Sequence, residues 1–333
     1  MPPWGDDPEI LLPLYRSMVL TRTFDAAALR LQRTGRLGTY ASPLGQESIG
    51  AAVASAMLKK DVLVPSYREF SAQLWRGVTM TEILLYWGGD ERGNDFQGPR
   101  EDFPASIPIA SHSCHATGVA YAFKLRHQRR VAVCCLGDGA TSKGDFYESL
   151  NAAGAWGVPV VFVVSNNQWA ISVPLGKQTA ARTLAQKAIA AGVGSEQVDG
   201  NDVIAVRAAA DIAMHRVRSG QGPYLIEALT YRLGDHTTAD DASRYRDPSE
   251  VESARALDPI DRLRAYLSTI ELWSDVDEKQ LRAEVEQEVN KAVEQYLATP
   301  AQPARAMFDT LFAQLPDSME DQYKTVVKDD DHD

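Results

Sequence analysis

The chain has 333 residues, of which 44% are hydrophobic and 24% are charged, and its formal net charge at pH 7 is −11. This length accommodates one large α/β domain with additions, or two domains, and the composition is that of an ordinary globular protein. The negative charge argues against nucleic acid as a partner, because no basic stripe is available to displace counterions from phosphates.

Two further features concern the cellular setting. No apolar run approaches the roughly 18 residues of a membrane span, and the first ten residues, MPPWGDDPEI, lack the basic start and apolar stretch of an export signal. The three cysteines, an odd number, favour a reducing compartment over a disulfide framework. We therefore expect a cytoplasmic protein without a membrane partner.

The first third of the chain predicts helices separated by loops. Residues 9–34 carry apolar side chains at helical spacing, and the small residues of 45–57 predict a second helix that packs closely. The run DVLV at 61–64 predicts a short strand, followed by an exposed Ser-Tyr-Arg segment at 66–68. Residues 88–110 are rich in glycine, proline and charge, and predict a long irregular connection of the kind that is usually functional or disordered.

A cluster of metal-ligand residue types follows this connection. His112, Cys114 and His115 make zinc binding an alternative, but no second pair of ligands stands at the spacing of a zinc finger. We favour a packed loop and the start of a helix predicted over residues 113–127.

The central segment, residues 131–172, predicts a βαβ unit. Two apolar runs bounded by turn formers are typical of buried parallel strands, and the segment between them has the length of a crossover helix. The first run ends in GDG at 137–139 and the second in paired asparagines at 166–167. Both strands point the same way, so the loops after their carboxyl ends lie side by side, where open α/β sheets bind ligands. Asp138 and Asn167 are therefore predicted to be neighbours.

The acid within GDG argues against an ordinary dinucleotide loop. Ser142 stands where the third glycine of that motif would be, and a carboxylate beside a phosphate is repulsive unless a cation lies between them. Mg²⁺ prefers hard oxygen ligands shared with substrate phosphates, and Asp138 with the amide oxygen of Asn167 provides such ligands. We predict a diphosphate site with Mg²⁺; the alternative is two tight turns that bind nothing.

Beyond this unit the pattern alternates again. Helices are predicted over residues 182–191 and 201–219, a short strand at 196–198 and a longer strand over 223–233 that ends at Gly234. The polar stretch after Gly234 predicts a surface loop that a ligand or partner must hold in place.

The last quarter of the chain is charged and predicted to be helical. Residues 277–298 alternate in charge, as a solvated helix face does, and the final KDDDHD predicts a disordered acidic tail. We predict an α/β fold with a mostly parallel sheet flanked by helices over residues 1–257, and a helical C-terminal extension over residues 258–333.

Four polar residues near predicted strand ends are suited to a phosphorylated ligand. Arg68 and Arg232 can each bind phosphate oxygens through two hydrogen bonds, and Tyr67 can donate its hydroxyl. His236 is of the residue type that titrates near neutral pH. Taken alone, an arginine more often forms a surface ion pair, and a loop histidine is usually solvated. Their shared placement at strand ends favours a ligand site.

These segments together resemble the alpha subunit of the thiamine-dependent 2-oxo acid dehydrogenases over nearly the whole chain. Bacterial pyruvate dehydrogenases are the most similar group, and the branched-chain 2-oxo acid enzymes are near relatives. The matching segments are GRLGTYASPLGQESIG, VPSYRE, GDGATSKGDFYE, SNNQWAIS, KQTAARTLAQKAIAAG, VDGNDVIAV and TYRLGDHTTADDASRYR.

The resemblance implies the thiamine diphosphate-binding fold, with thiamine diphosphate and Mg²⁺ as cofactors. Asp138, Asn167 and the backbone carbonyl of Trp169 would ligate the metal, Ile109 would support the bent cofactor, and His236 would contact the substrate and cofactor. The residues implied to hold the diphosphate are Tyr67, Arg68, Gly137, Gly139, Ala140 and Arg232.

The implied activity is oxidative decarboxylation of pyruvate with transfer of the acetyl group to a lipoyl group. A branched-chain 2-oxo acid or acetoin is the alternative substrate. The family places the glutamate that activates the cofactor on a beta subunit, so an α2β2 assembly docked to a lipoyl acyltransferase core is expected. The alternative from another class is a non-catalytic, nucleotide-binding regulatory subunit, which needs neither Asn167 nor His236.

Three departures from the family pattern bear on the site. Ser165 stands where some branched-chain members have a phosphate-binding arginine, so that contact is expected to be absent. Asp235 replaces the histidine or proline that often precedes the catalytic histidine, and either raises the basicity of His236 or caps the loop. Thr237 stands where mitochondrial relatives have a phosphorylated serine, and such regulation is not expected here.

Overall fold

A computed structural model describes residues 1–330 of the chain. Its first half begins with a long helix whose amino end is capped by the Asp7 side chain, which accepts a hydrogen bond from the Glu9 backbone. The elements up to the irregular connection are α1 Pro8–Arg33, α2 Glu47–Ala56, β1 Val62–Val64, α3 Phe70–Arg76 and α4 Met80–Trp87. The predicted helix over residues 9–34 and the predicted strand at 61–64 are thus confirmed within two residues.

The middle of the chain contains the predicted βαβ unit and a short hairpin. Its elements are α5 Ser111–Leu125, β2 Ala132–Gly137, α6 Gly144–Trp156, β3 Val160–Asn166, β4 Trp169–Ala170, β5 Val173–Pro174 and α7 Leu175–Gln178. Strand β6 Gly194–Asp199, helix α8 Val203–Arg218 and strand β7 Tyr224–Leu229 follow. The segment predicted as a helix over 182–191 forms a 3-10 helix, Leu184–Ala191.

Five parallel strands form the central sheet in the order β1-β2-β3-β7-β6. Gly137 at the end of β2 lies opposite Ser165 of β3, and Asn166 lies opposite Leu229 of β7. Strand β3 is buried along its whole length, as its valine-rich sequence predicts for a strand covered on both faces. Since the strands are parallel, all their carboxyl ends meet at one edge of the sheet.

Helices cover both faces of this sheet. On one face, α5 and α6 pack through Ala116, Phe123, Phe146 and Leu150 against strand residues such as Phe162. On the other face, α8 packs against β3, β6 and β7, and α2 packs against α8. The predicted fold class, a mostly parallel sheet flanked by helices, is confirmed.

The C-terminal part is helical, as predicted. Its helices are α9 Pro248–Arg255, α10 Pro259–Thr269, α11 Asp275–Ala298, α12 Ala306–Asp309 and α13 Glu320–Asp330. The chain separates into two compact units, residues 1–293 and the part that begins at residue 294, and α10 packs against α1 within the first unit. A division at residue 257 stays a prediction. The predicted disordered tail begins within α13, and residues 331–333 lie outside the described residues.

Two findings concern the cellular setting. Among residues 1–330, no helix is both long and apolar enough to cross a membrane. The three cysteines, Cys114, Cys134 and Cys135, are free thiols.

Candidate active site

A cleft of about 200 Å³ opens at the carboxyl ends of the central strands. Every residue predicted from the sequence to belong to the site lines it: Tyr67, Arg68, Ile109, Gly137, Asp138, Gly139, Ala140, Asn167, Trp169, Arg232 and His236. These residues come from five separate segments of the chain, each at the end of a strand or at the amino end of α5. The structure therefore brings the predicted set together.

The cleft also contains residues that were not predicted: Gln46, Ser66, Glu69, Ala110, His112, Ser165, Ala170 and Ile171. The exposed Ser-Tyr-Arg segment was a wrong prediction, because Ser66 is only 9% exposed and its two neighbours are half-buried. The polar residue types after strand β1 suggested that these side chains are exposed to solvent, but in the structure they line an internal cleft.

Gly139 lies where the turn after β2 passes the β4–β5 hairpin. A Cβ atom built on Gly139 would lie 2.8 Å from the Cβ atom of Ala170, closer than carbon atoms pack in proteins. A Cβ atom built on Gly137 would meet nothing within 4 Å, and the backbone φ of −83° at Gly137 suits alanine. Close approach of the hairpin therefore depends on Gly139.

We expect Gly139→Ala to lower the free energy of unfolding of the ligand-free chain by about 1–3 kcal/mol, because the added methyl group must displace the hairpin. Gly137→Ala is the matched control and is expected to change that free energy by less than about 0.5 kcal/mol. Denaturant unfolding of the two variants makes the comparison. Equal losses of unfolding free energy in the two variants would show that the turn tolerates a side chain at neither glycine. That result would contradict the difference in packing described for Gly137 and Gly139.

Asp138 is a buried carboxylate, 1% exposed, in the turn after β2. Its Oδ2 atom accepts a hydrogen bond of 2.9 Å from the Nε2 atom of Gln178. Within residues 1–330 it has no ion pair with a lysine, arginine or histidine. Burial raises the pKa of Asp138, and hydrogen bonds from Gln178 and the Asn167 backbone oppose that rise. A cation at this position would favour the ionised form.

Asn167 presents its amide oxygen on the side away from Gln46. Its Nδ2 atom donates to the Oε1 atom of Gln46 at 3.0 Å, and its Oδ1 atom accepts from the Trp169 backbone at 3.3 Å. The carbonyl of Trp169 accepts one hydrogen bond, from Arg232 at 3.2 Å, and retains a second lone pair. The cleft therefore offers a carboxylate, an amide and a carbonyl oxygen, the hard donors that suit Mg²⁺.

A metal site of the zinc type finds no support. Across the described part of the chain, no three His, Cys, Asp or Glu side chains are grouped so that they could hold a metal ion. The Nε2 atom of His112 contacts the Cys135 carbonyl at 2.8 Å, and the His115 ring stacks on Phe103. Cys114 points its sulfur toward the Asp145 carbonyl. The zinc alternative raised by this cluster is therefore set aside, because its members have separate packing roles.

Arg232 is the largest fully buried side chain of the cleft, 1% exposed. Its guanidinium donates to the Ile171 carbonyl at 2.8 Å and to the Tyr245 hydroxyl at 3.0 Å. Ile171 has a φ of 55°, a strained conformation for a β-branched residue, and this contact helps to hold it. Burial lowers the pKa of Arg232, and no carboxylate within residues 1–330 pairs with it.

Arg68 supplies a second guanidinium beside the first. It donates to the Ser42 carbonyl at 2.7 Å and to the backbone carbonyl of His236. Burial lowers its pKa, and the nearby Tyr67 and Glu69 oppose that fall. A buried guanidinium group and a half-buried one, neither paired with a carboxylate among residues 1–330, form a site for an anion with several oxygens.

His236 lies between these two arginines. Its Nδ1 atom is 2.9 Å from an Arg68 nitrogen and 3.4 Å from an Arg232 nitrogen. Guanidinium nitrogens only donate, so Nδ1 must accept, and the proton of the neutral ring is on Nε2. Burial and then the two arginines lower the pKa of His236 to about 4, while Asp240 opposes the fall. At neutral pH the side chain is therefore a neutral hydrogen-bond donor through Nε2.

The loop that carries His236 is held by the chain's own side chains. Asp240 accepts from the His236 backbone at 2.8 Å and from the Tyr245 hydroxyl, and buried Arg246 donates to the Gly234 carbonyl at 2.9 Å. That a ligand or partner also holds this loop stays a prediction, and the contacts that the structure shows join residues 4–12 positions apart along the chain. Of the two roles considered for Asp235, the structure shows the cap: its Oδ1 atom accepts from the Ala242 backbone at 2.9 Å.

The chain is similar over most of its length to a protein family and to several known proteins. Residues 15–305 match the family model described as "Dehydrogenase E1 component". Pyruvate dehydrogenase E1 component subunit alpha of Acholeplasma laidlawii is 42% identical over 95% of this chain and 92% of that protein. Its counterpart in Bacillus subtilis is 39% identical over 97% of this chain and 87% of that protein. The 3-methyl-2-oxobutanoate dehydrogenase subunit alpha of Mycobacterium tuberculosis is 41% identical over 94% of this chain and 86% of that protein.

Proposed function

The chain belongs to the dehydrogenase E1 component family, and from that premise we propose that it is the alpha subunit of a pyruvate dehydrogenase that holds thiamine diphosphate and Mg²⁺. The observation that carries the proposal is the cleft, which gathers three oxygen donors and two unpaired guanidinium groups beside a neutral histidine. That donor set fits a metal-bound diphosphate, the polar end of the cofactor on which this family depends.

The chain's own residues divide between metal and phosphate. Asp138, the Asn167 amide oxygen and the Trp169 carbonyl would hold Mg²⁺, whose charge would offset the buried carboxylate. Arg68 and Arg232 would bind the phosphate oxygens, and Arg232 would exchange its contacts with backbone carbonyls for them. The further residues assigned to this end of the cofactor are Tyr67, Gly137, Gly139 and Ala140, with Ile109 beneath its bend.

When bound, thiamine diphosphate supplies the carbon nucleophile and the electron sink for decarboxylation of a 2-oxo acid. The contribution of this chain is orientation and hydrogen bonding. The Nε2 hydrogen of His236 would donate to the substrate's oxygen atoms, and the two arginines that contact Nδ1 would keep the ring neutral and in that tautomer. A nucleotide-binding regulatory subunit would need neither this histidine nor the paired oxygen donors around Asp138.

The alpha subunit provides part of the catalytic site. We propose that a beta subunit supplies the glutamate that activates the cofactor, that the two chains form an α2β2 assembly, and that this assembly docks on a lipoyl acyltransferase. Alpha subunits of this family work with a beta subunit and an acyltransferase component. A cytoplasmic location stays a prediction from the sequence.

Pyruvate is the proposed substrate, and 3-methyl-2-oxobutanoate is the second candidate. The two kinds of relative are almost equally similar to this chain, at 42% and 41% identity. Pyruvate is placed first because two of the three relatives described above are pyruvate dehydrogenase alpha subunits.

The test is reconstitution of the chain with a beta subunit of the same family. We expect the chain alone to be inactive and the assembly to decarboxylate pyruvate with a higher kcat/KM than 3-methyl-2-oxobutanoate. Turnover at full rate by the chain alone would contradict the proposal that this chain provides only part of the catalytic site. A higher kcat/KM for 3-methyl-2-oxobutanoate would identify that compound, and not pyruvate, as the preferred substrate. The proposed cofactor site would be unaffected by that result.

A further inference from the structure

Gln178 donates a side-chain hydrogen bond to the carboxylate of Asp138. It ends the short helix α7 after the β4–β5 hairpin, and its Nε2 atom donates to Asp138 Oδ2 at 2.9 Å and to the Val173 carbonyl at 3.2 Å. One amide nitrogen thus joins the turn after β2 to the hairpin that carries Trp169. The turn would supply Asp138 and the hairpin would supply the Trp169 carbonyl, two of the three proposed metal ligands.

The orientation of this amide is fixed by chemistry. Both groups at Nε2 are acceptors, so rotating the amide by half a turn would place Oε1 against a carboxylate and a carbonyl. Oε1 therefore faces the other way, where it is buried, and among residues 1–330 no donor reaches it. A Cβ atom built on Gly139 would lie 4.0 Å from Oε1, so this acceptor lies beside the predicted diphosphate turn.

We propose that Gln178 is a positioning residue of the metal site, orienting Asp138 through Nε2 and accepting a hydrogen bond through Oε1 from a water molecule bound to Mg²⁺. The proposal rests on the proposed function, because it requires the metal-bound diphosphate. It accounts for a buried acceptor that has no partner in the chain.

The coordination chemistry of Mg²⁺ supports this role. The ion requires an octahedron and usually keeps some of its water. Three oxygens from the chain and phosphate oxygens from the cofactor leave room for a water molecule, and a metal-bound water is a strong donor in need of an acceptor. Residues that orient metal ligands in this way change metal affinity by about 10–100-fold when they are replaced.

The test compares the Mg²⁺ dependence of thiamine diphosphate binding in variants of the full chain assembled with its beta subunit. Gln178→Met keeps the length of the side chain and removes both polar atoms. Gln178→Ala is the second variant, for use where the first folds poorly. Gln186→Met carries the same substitution at an exposed glutamine that does not line the cleft and is the matched control. Calorimetric titration of the cofactor at a series of Mg²⁺ concentrations gives the half-saturating metal concentration.

We expect Gln178→Met and Gln178→Ala to raise the half-saturating Mg²⁺ concentration by about 10–100-fold, whereas Gln186→Met leaves it unchanged. At saturating Mg²⁺ the cofactor affinity of the Gln178 variants should return to within about threefold of the wild type. This difference between low and saturating Mg²⁺ distinguishes a positioning role from a packing role, because a residue with only a packing role would weaken cofactor binding equally at every metal concentration.

Two results would overturn the role of Gln178: an unchanged half-saturating concentration, or a uniform loss of affinity at all Mg²⁺ concentrations. Both are judged against a wild-type assembly that binds the cofactor in a Mg²⁺-dependent way. If the wild type itself shows no such dependence, the proposed function fails together with this inference.

Discussion

Replacing Asp138 by alanine is expected to reduce Mg²⁺-dependent binding of thiamine diphosphate by at least about a hundredfold. Residues one step removed from a metal alter affinity by about 10–100-fold, and Asp138 would be a direct ligand that also brings the only charge among the chain's three donors. Without it, the proposed metal would lose its counter-charge, and the Asn167 and Trp169 oxygens would bind it weakly. Titration of the cofactor into the assembled subunits, with and without Mg²⁺, measures the loss.

Two controls separate this effect from misfolding. Asp211→Ala removes an acid from the outer helix α8, where Asp211 pairs with Arg207, and should leave cofactor affinity unchanged. Asp138→Asn keeps the shape and the acceptor for Gln178 but removes the charge. Because burial raises the pKa of Asp138, ionising it in the folded chain costs free energy at neutral pH. The ligand-free Asn variant should therefore unfold at the same or a higher temperature. Wild-type affinity in Asp138→Ala would refute the metal site.

Replacing His236 by glutamine is expected to lower kcat by about 10²–10³-fold while the affinity for thiamine diphosphate changes little. A preorganised hydrogen-bond donor in a water-poor site contributes about that much to a transition state. Cofactor affinity should survive, because the phosphate contacts are assigned to the arginines. Steady-state kinetics with pyruvate and a cofactor titration give the two values. His215→Gln, on the exposed face of α8, is the control. A loss in cofactor affinity with unchanged kcat would contradict the assignment.

The same variant has a distinct pH signature. His236 has a pKa of about 4 in the folded chain, below its ordinary value of 6.5. Between these two values the unfolded chain binds a proton at this residue and the folded chain does not, so falling pH lowers the free energy of unfolding. The ligand-free His236→Gln variant should lose less stability than the wild type across this window. Identical pH profiles in denaturant unfolding would show that the histidine is not held in its neutral form.

The sequence predicted the parts of the site that depend on local pattern. Strands β2 and β3 are recognisable as apolar runs, and parallel topology then requires Asp138 and Asn167 to lie at one edge of the sheet. The residues placed in the cleft by family resemblance also lie there, although their roles remain proposals. These predictions needed no knowledge of side-chain packing.

What the sequence could not provide is contact between distant segments. Gln178 and Gln46 reach Asp138 and Asn167 through tertiary packing between segments that lie far apart in the sequence. Gln46 and Gln178 both lie within segments that resemble the family, and this resemblance was the sequence signal that could have identified them as site residues. A polar residue reads the same in sequence whether it faces solvent or a buried cleft, and so the segment at 66–68 was misplaced.

The most direct test of the central claim is release of carbon dioxide from pyruvate by metal-free and cofactor-free alpha and beta subunits, with each component restored in turn. We expect turnover only when both subunits, thiamine diphosphate and Mg²⁺ are all present. Turnover by the alpha chain alone, or without the cofactor or the metal, would contradict the proposed function.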